Sequence, residues 1–246
     1  MNPAEPSPWM PSRQRCPLWG TLDVLFMLGF ALPALVAATL LVLAAAMVWP
    51  FWRSLRAVQV LAMQFLFWGL WFAALYGLIR WKYGERFWKA LGWVRPPRGY
   101  AQAAALGVLT AGGVIGAAIV LRPPRVPMPL LELLKDPLSL AVVGAFAITL
   151  GPVCEELAFR GFLLPWLVRW IRPAPAILLS GALFAALHGP EYAWSWRHVV
   201  LIGLAGAAFG LVRYRTGSTA AAAMMHAAYN LVFFATLLAQ PGGNLP

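Results

Sequence analysis

The stretch GTLDVLFMLGFALPALVAATLLVLAAAMVW, residues 20–49, is 30 residues long and has a single charged side chain, that of Asp23. A helix of about 20 apolar residues crosses the hydrocarbon core of a bilayer. A signal peptide has a shorter apolar region, and the preceding RQRCPLWG, residues 13–20, lacks the small residues of a cleavage site. We therefore expect residues 20–49 to be retained as a membrane-spanning helix, long enough to tilt or to bend at Pro33.

The rest of the chain has the same character. Hydrophobic residues make up 61% of the 246 residues and charged residues 11%, and the mean hydropathy is +0.73. A soluble protein typically has about 25% charged residues, so a soluble globular domain is excluded. The sequence predicts an all-α polytopic bundle and one membrane domain, residues 1–246. About seven spans are expected, with six to eight possible: besides 20–49, these are 57–79, 101–121, 138–164, 174–189, 198–212 and 219–239. The fifth and sixth are short enough for one of them to be partial or irregular.

The net charge of +11 does not indicate nucleic-acid binding, because the bases flank the apolar stretches instead of forming a separate basic domain. The lipid bilayer is the expected partner, and no nucleic acid is expected. Cys16 and Cys154 make neither a disulfide framework nor a metal-type pair. Seven spans divide the 19 Lys and Arg residues into thirteen on one side and six on the other. Because the richer side is usually cytoplasmic, we expect an integral membrane protein with a cytoplasmic N-terminus. The expected location is the bacterial inner membrane, although the charge count itself indicates only the orientation. The thirteen are Arg13, Arg15, Arg80, Lys82, Arg86, Lys89, Arg95, Arg98, Arg160, Arg169, Arg172, Arg213 and Arg215, and the six are Arg53, Arg56, Arg122, Arg125, Lys135 and Arg197.

Ionisable residues inside spans are costly and indicate function. Asp23 stands at the start of its span and is interpreted as interfacial, as is His198 beside Arg197. The remaining polar residues lie in three segments: LGPVCEELAFRGFLLPWL (150–167), LLSGALFAALHGP (178–190) and TAAAAMMHAAYNLVFF (219–234). They are Glu155, Glu156, Arg160, His188, His226 and Asn230. Counted at about 1.5 Å per residue from the predicted helix ends on the side richer in Lys and Arg, Glu155, His188, His226 and Asn230 reach similar depths. The sequence therefore predicts one buried site made by three helices.

Helix geometry separates the roles of these residues. Glu156 and Arg160 are four residues apart and share a face, so we expect a buried structural ion pair. Glu155 is turned by about 100° from its neighbour and is left free. The same four-residue spacing places His226 over Asn230, and Phe184 below His188.

A carboxylate in an apolar site has a raised proton affinity and suits a general base acting on water. An imidazole beside it can orient that water, and a second His with an Asn amide can stabilise an oxyanion. This combination describes hydrolysis of a peptide or amide bond without a nucleophilic side chain. Ser180 has no acid–base partners and is not in a nucleophile motif. Two His and a Glu are also a ligand set for catalytic zinc, although HExxH is absent.

In these residues the sequence resembles the CPBP family, the CAAX protease and bacteriocin-processing (ABI) membrane proteins, which includes the type II CAAX prenyl endopeptidases. The family motifs EExxxR, FxxxH and HxxxN/D are similar to Glu155–Arg160, Phe184–His188 and His226–Asn230. They occur in order within about residues 138–235, and we expect residues 138–239 to form a catalytic helical core. The first three spans carry no motif.

The resemblance implies an intramembrane endopeptidase that cuts a membrane-anchored protein or peptide. It implies Glu155 as the catalytic base, His188 as the residue that positions the water, and His226 with Asn230 as the oxyanion site. Glu156, Arg160 and Phe184 are implied as structural support. No cofactor is expected; if zinc is used, its ligands are Glu155, His188 and His226. The open alternatives are a proton-coupled transporter and a non-catalytic immunity or scaffold protein of the same fold.

Overall fold

A computed structural model describes residues 17–127 and 136–239. Seven helical segments in these residues are long and apolar enough to cross a membrane, which confirms the predicted polytopic helical bundle. We number them as the first to seventh spans: Thr21–Val48, Arg56–Lys82, Gly99–Leu121, Pro137–Trp170, Pro173–Tyr192, Trp196–Thr216 and Thr219–Ala239. A short helix, Phe87–Ala90, follows the second span, and a 3-10 turn, Pro50–Ser54, precedes it. The expectations about Cys16, Arg13, Arg15 and Lys135 lie outside the described residues.

The first span is one continuous helix through Pro33. Its N-terminal turn is held by Asp23, which was expected to be merely interfacial but has a buried carboxylate. That carboxylate accepts from the backbone N–H of Gly20 at 2.9 Å, from Lys82 Nζ at 2.5 Å and from the Tyr83 hydroxyl. Burial, together with the bond to Asp23, raises the pKa of Tyr83. The start of the first span is therefore tied to the end of the second.

The fourth span departs most from the prediction. It begins at Pro137, where Asp136 caps the helix by accepting from the Ser139 N–H at 2.9 Å, and hydrogen bonds from Ser139 lower the pKa of Asp136. It is interrupted at Thr149, three residues before Pro152, whose ring cannot donate to the carbonyl of residue 148.

A π-helical turn, Leu157–Leu163, follows the helical segment Leu150–Glu156, and the helix then continues to Trp170. The predicted end at residue 164 was therefore wrong. Pro165 stands in the first turn of the last helical segment, where a missing N–H costs little. Of the two short spans, one of which could be partial or irregular, the sixth is a regular helix, Trp196–Thr216, whereas the fifth is a helix of 16 residues, Pro173–His188, that ends in a 3-10 turn, Gly189–Tyr192.

Small residues set the closest helix contacts in the bundle. The third and seventh spans meet at Gly107, where an added Cβ would lie 2.1 Å from the carbonyl oxygen of Met225. The fifth and sixth meet at Gly181, where it would lie 2.8 Å from the backbone of Gly203 and of Ala207. Without a hydrophobic driving force between helices in lipid, such close backbone approach is a main source of association.

The loop between the second and third spans contacts the end of the sixth span and the start of the seventh. Gly92 has a φ of +69° and accepts the Thr219 N–H at 2.9 Å. The Thr219 hydroxyl donates to Leu91 O at 2.6 Å, and the Ser218 hydroxyl donates to Val94 O. A side chain at Gly92 would be strained and would meet the Arg213 guanidinium at 2.5 Å. This contact fixes where the seventh span begins, seven residues before His226.

Candidate active site

Glu156 and Arg160 form the buried ion pair that their spacing predicts. Arg160 Nη1 lies 2.9 Å from Glu156 Oε1, and both side chains are 0% exposed. The π-helical turn begins directly after Glu156 and contains Arg160. Such wide turns occur often at functional sites, where they change the direction in which a side chain points.

Arg160 also connects the fourth span to the sixth. Its Nη2 donates to the carbonyl oxygen of Gly206 at 2.6 Å. Its guanidinium carbon lies 4.8 Å from the ring centre of Phe184 and 5.6 Å from those of Phe159 and Phe209. The guanidinium is therefore held by a carboxylate, a backbone carbonyl and three aromatic faces, in a site that excludes water.

His226 lies between the two adjacent carboxylates. Its Nδ1 is 3.0 Å from Glu156 Oε1, and its Nε2 is 3.8 Å from Glu155 Oε2. The imidazole is stacked on Phe209 at 4.6 Å and meets the ring of Phe184 edge-on at 5.7 Å. An ionised carboxylate only accepts hydrogen bonds, so the carboxylate paired with Arg160 places a proton on Nδ1. The Nε2 atom of the neutral imidazole is then an acceptor that faces Glu155.

Glu155 differs from Glu156 in its access to the surroundings. The side chain of Glu155 is 26% exposed, whereas that of Glu156 is fully buried. The ion pair between Arg160 and Glu156 therefore leaves Glu155 as the accessible carboxylate of the pair. With a neutral imidazole at His226, the two carboxylates and Arg160 together carry one net negative charge.

His188 reaches the same region from the fifth span. Its Nδ1 lies 2.9 Å from the carbonyl oxygen of Phe184, and because a carbonyl only accepts, Nδ1 carries the proton. Its ring centre is 4.5 Å from that of Phe184. The Phe184 ring thus contacts both imidazoles, His188 and His226, and the guanidinium of Arg160. The fourth, fifth and seventh spans meet around this aromatic side chain.

Asn230 lies one turn beyond His226 but is engaged elsewhere. Its Nδ2 donates to the carbonyl oxygen of Ala147 at 2.7 Å, just before the interruption of the fourth span at Thr149. This bond joins the seventh span to the fourth on the side of the site opposite the π-helical turn. The amide has a second N–H, which is the group required for an oxyanion site.

Glu155, His188 and His226 are the candidate ligands for a metal ion. The described residues, 17–127 and 136–239, contain no group of three His, Cys, Asp or Glu side chains arranged to hold one. One nitrogen of each imidazole is already bound, at His226 to Glu156 and at His188 to the backbone of Phe184. These bonds leave Nε2 of both imidazoles as acceptors, which is the usual state of a metal-binding His, so the chemistry of the donors suits zinc although the three side chains are not arranged around one point.

Sequence reasoning missed three residues at the site. Gly206 supplies the carbonyl that Arg160 binds, and Phe209 stacks on His226. The glycines at 203, 206 and 210 were a signal that the sixth span packs closely on a neighbour. Glu191, exposed in the 3-10 turn after His188, lies within electrostatic range of both His188 and Glu155. Its acidic side chain in an otherwise apolar loop was the available signal.

Residues 137–232 match the family model described as "Type II CAAX prenyl endopeptidase Rce1-like". Comparison with curated proteins and with solved structures finds no match. The matched segment begins at the fourth span and contains every residue of the site described above, while the first three spans lie outside it. Over the part of the chain that carries the site, the protein is therefore similar to the Rce1-like type II CAAX prenyl endopeptidases.

Proposed function

We propose that the protein is an intramembrane endopeptidase that hydrolyses a peptide bond of a membrane-anchored protein or peptide, with Glu155 as the base that activates water. The catalytic core of this proposal is the helical segment 138–239. The observation that carries it is the inequality of two adjacent carboxylates. Glu156 is neutralised by Arg160 and fully buried, whereas Glu155 is accessible and faces Nε2 of His226.

In the proposed reaction, Glu155 takes a proton from a water molecule while the water oxygen bonds to the carbonyl carbon of the substrate. The carbonyl oxygen becomes an oxyanion, which the amide of Asn230 and the imidazole of His226 stabilise. The protonated Glu155 then gives its proton to the leaving nitrogen as the C–N bond breaks. Water and peptide yield a carboxylic acid and an amine, and no other reactant is needed.

His188 is proposed to position the water. With its proton on Nδ1, the neutral ring has an acceptor at Nε2, and an acceptor orients one O–H of the water while Glu155 accepts the other. His226 can stabilise the oxyanion only when both of its ring nitrogens carry a proton. Its Nδ1 proton is engaged by Glu156, so it donates to an oxyanion from Nε2 only as an imidazolium. That proton would neutralise the net negative charge of the buried group.

The test is the variant Glu155→Gln, which keeps the size and removes the base. We expect cleavage to fall by at least about 100-fold, the usual contribution of a general base, while the protein remains inserted and folded. The matched control is Glu85→Gln, on a loop outside the site. The readout is quantitative membrane proteomics of cells producing each variant, in which uncut precursors accumulate only with Glu155→Gln.

Precursor levels equal to wild type in Glu155→Gln cells would refute the assignment. If cells producing Glu155→Gln were protected against a bacteriocin as fully as cells producing the wild type, the non-catalytic immunity or scaffold alternative would replace the peptidase assignment. Proton-coupled uptake by the protein in liposomes, without any cleavage, would support the transporter alternative.

The zinc alternative is tested separately on purified protein. We expect cleavage to survive exhaustive chelation, because the proposed reaction uses only protein side chains and water. Loss of activity on chelation and its restoration by zinc would contradict the role of Glu155 as the base. It would indicate instead a zinc ion held by Glu155, His188 and His226 that activates the water. Magnesium added to the chelated protein serves as the control for a general effect of cations.

A further inference from the structure

A cavity of about 560 Å³ lies between the third and sixth spans, away from the carboxylates of the site. Its volume is within the range of binding pockets for small ligands, about 300–1,000 Å³. Residues from the start of the third span and the end of the sixth line one part of it, and residues further along both helices line the rest. The two helices run in opposite directions through the bundle, so these two parts lie at different depths. We call this cavity the third–sixth groove.

The two parts of the third–sixth groove differ in chemistry. Arg98, directly before the third span, and Gln102 in its first turn line the part at the helix ends, together with Arg215 and Thr216 of the sixth span. The deeper part is mainly apolar, with Leu106, Ala208, Leu211, Val212 and Met225, and it includes Thr110, whose hydroxyl donates to the carbonyl oxygen of Leu106 at 2.8 Å. A cationic mouth above an apolar slot matches an amphiphile with an anionic head and hydrocarbon tails.

The cations at the mouth are available to a ligand. Arg98 and Arg215 are both exposed, and neither makes a hydrogen bond or ion pair with another group among residues 17–127 and 136–239. The side chain of Gln102 also lines the mouth and adds a neutral donor. Two guanidinium groups and an amide provide the planar donors that bind phosphate oxygens well.

We propose that the third–sixth groove binds one anionic phospholipid of the bilayer, with its phosphate at Arg98 and Arg215 and an acyl chain along the apolar part. Charge complementarity and location carry this assignment. The groove lies between two membrane-spanning helices, and basic pockets between such helices at one face of the membrane are sites for anionic headgroups. A free phosphate ion would use the mouth alone and leave the apolar part empty.

The groove also contacts the helix that carries part of the active site. Met225, directly before His226, lines the apolar part together with Ala221 of the same span. A bound acyl chain would therefore pack against the outer face of the seventh span at the level of the imidazole. The lipid site nevertheless stands independently of the proposed peptidase reaction, since its test measures lipid contact and not cleavage.

The test uses the full-length protein in phosphatidylcholine bilayers with a trace of phosphatidylglycerol that carries a photoreactive group on one acyl chain. Crosslinked positions are mapped by mass spectrometry. We expect labelling in residues 96–110 and 208–225, at least about tenfold reduced in the variant Arg98→Gln/Arg215→Gln, since each interfacial Arg contributes about 1 kcal/mol. The matched control is Arg169→Gln/Arg172→Gln, two exposed arginines at the same end of the bundle but outside the groove.

Two further arms keep the result decisive. Ala208→Trp, which fills the apolar part, should also abolish labelling there. A photoreactive phosphatidylcholine probe should not label the groove. Added inorganic phosphate should not compete with the phosphatidylglycerol probe. Equal labelling in the groove and control double variants would overturn the proposal. So would equal labelling by the two probe lipids, or competition by inorganic phosphate, which would indicate a simple anion site.

Discussion

At the scale of single residues, the site depends on how a charge is kept inside an apolar bundle. Arg160 is 0% exposed, and its charge is balanced by Glu156, the carbonyl of Gly206 and the ring of Phe184. Burying an ion is costly, so a pair of this kind adds little net stability but becomes strongly destabilising when one partner is removed. The same carboxylate also binds Nδ1 of His226. Arg160 therefore acts on the imidazole through Glu156, as a positioning residue.

This coupling predicts a non-additive mutant cycle. Arg160→Met leaves the Glu156 carboxylate buried without its cation and should lower the free energy of unfolding by about 3–5 kcal/mol. Arg160→Met/Glu156→Gln removes both charges and should be less destabilised than Arg160→Met alone. The measurement is reversible unfolding in detergent micelles of the wild type, both single variants and the double variant. Additive costs in the double variant would show that the pair is not coupled.

A second prediction concerns the proton on His226 and uses the single variant Glu156→Gln. Glu156→Gln retains an acceptor for Nδ1 but removes the carboxylate charge beside the imidazole. We expect kcat to fall by about 10–100-fold, as for other residues that orient a catalytic ligand, with KM little changed. The accompanying change in the pH profile of kcat separates this positioning role from a purely structural one. An unchanged pH profile together with a loss of folded protein would assign Glu156 to structure alone.

At the scale of helices, the local pairs were predictable and the contacts between helices were not. Glu156 with Arg160 follows from the four-residue spacing, because neighbours on one helix face need no knowledge of the rest of the fold. The contact of His226 with Glu156 depends on how the seventh span is rotated. The face that carries His226 and Asn230 indicates that these residues turn towards the interior of the bundle, but it does not indicate which of the two adjacent carboxylates His226 contacts.

The fourth span shows the same limit. The span was predicted to end at residue 164, directly before Pro165, yet Pro165 stands in the first turn of a further helical segment, where its missing N–H is harmless. The contact of Arg160 with Gly206 was also missed, since a backbone carbonyl has no signature in the sequence. The fold class and the polar residues themselves were evident from composition and from the scarcity of charge.

The close contact of the fifth and sixth spans makes a testable prediction at this scale. Gly181→Ala would bring a Cβ to 2.8 Å from the backbone of Gly203 and Ala207, neither of which can move without shifting a helix. We expect it to cost about 1–3 kcal/mol of stability and to lower activity, since Phe184 and His188 are on the displaced helix. Reversible unfolding and the cleavage assay provide the two measurements.

The matched control is Gly203→Ala in the same interface. There an added Cβ would lie 3.7 Å from Ala185 Cβ and 3.9 Å from the Gly181 carbonyl oxygen, both ordinary van der Waals contacts. This variant should be neutral or slightly stabilising, because Ala favours the helix over Gly by about 1 kcal/mol. If both variants were equally tolerated, the close packing of the two spans would not control the position of His188.

At the scale of the whole molecule, the distribution of cations bears on orientation. Arg160 was counted with the loops of the richer side, but it is buried in the site and does not contribute to a loop. Arg213, counted on the same side, is buried at the end of the sixth span, where its Nε donates to the Thr219 hydroxyl at 2.9 Å. The bias survives these corrections, since eleven cations remain on the richer side against six on the other, and the loop of residues 83–98 holds four of the eleven. We therefore propose that this loop is cytoplasmic and that residue 239 is at the opposite face.

Two exposed tryptophans at opposite ends of the bundle allow a direct test of this orientation. Trp88 follows the second span and is 53% exposed, and Trp194 lies between the fifth and sixth spans and is 63% exposed. In a background without Cys16 and Cys154, we expect a membrane-impermeant maleimide to label Trp194→Cys in intact spheroplasts. Trp88→Cys should be labelled only after the membrane is opened, because its loop carries the excess of cations that is retained in the cytoplasm. The reverse pattern would invert the topology, and labelling of both variants in intact spheroplasts would contradict an odd number of spans between them.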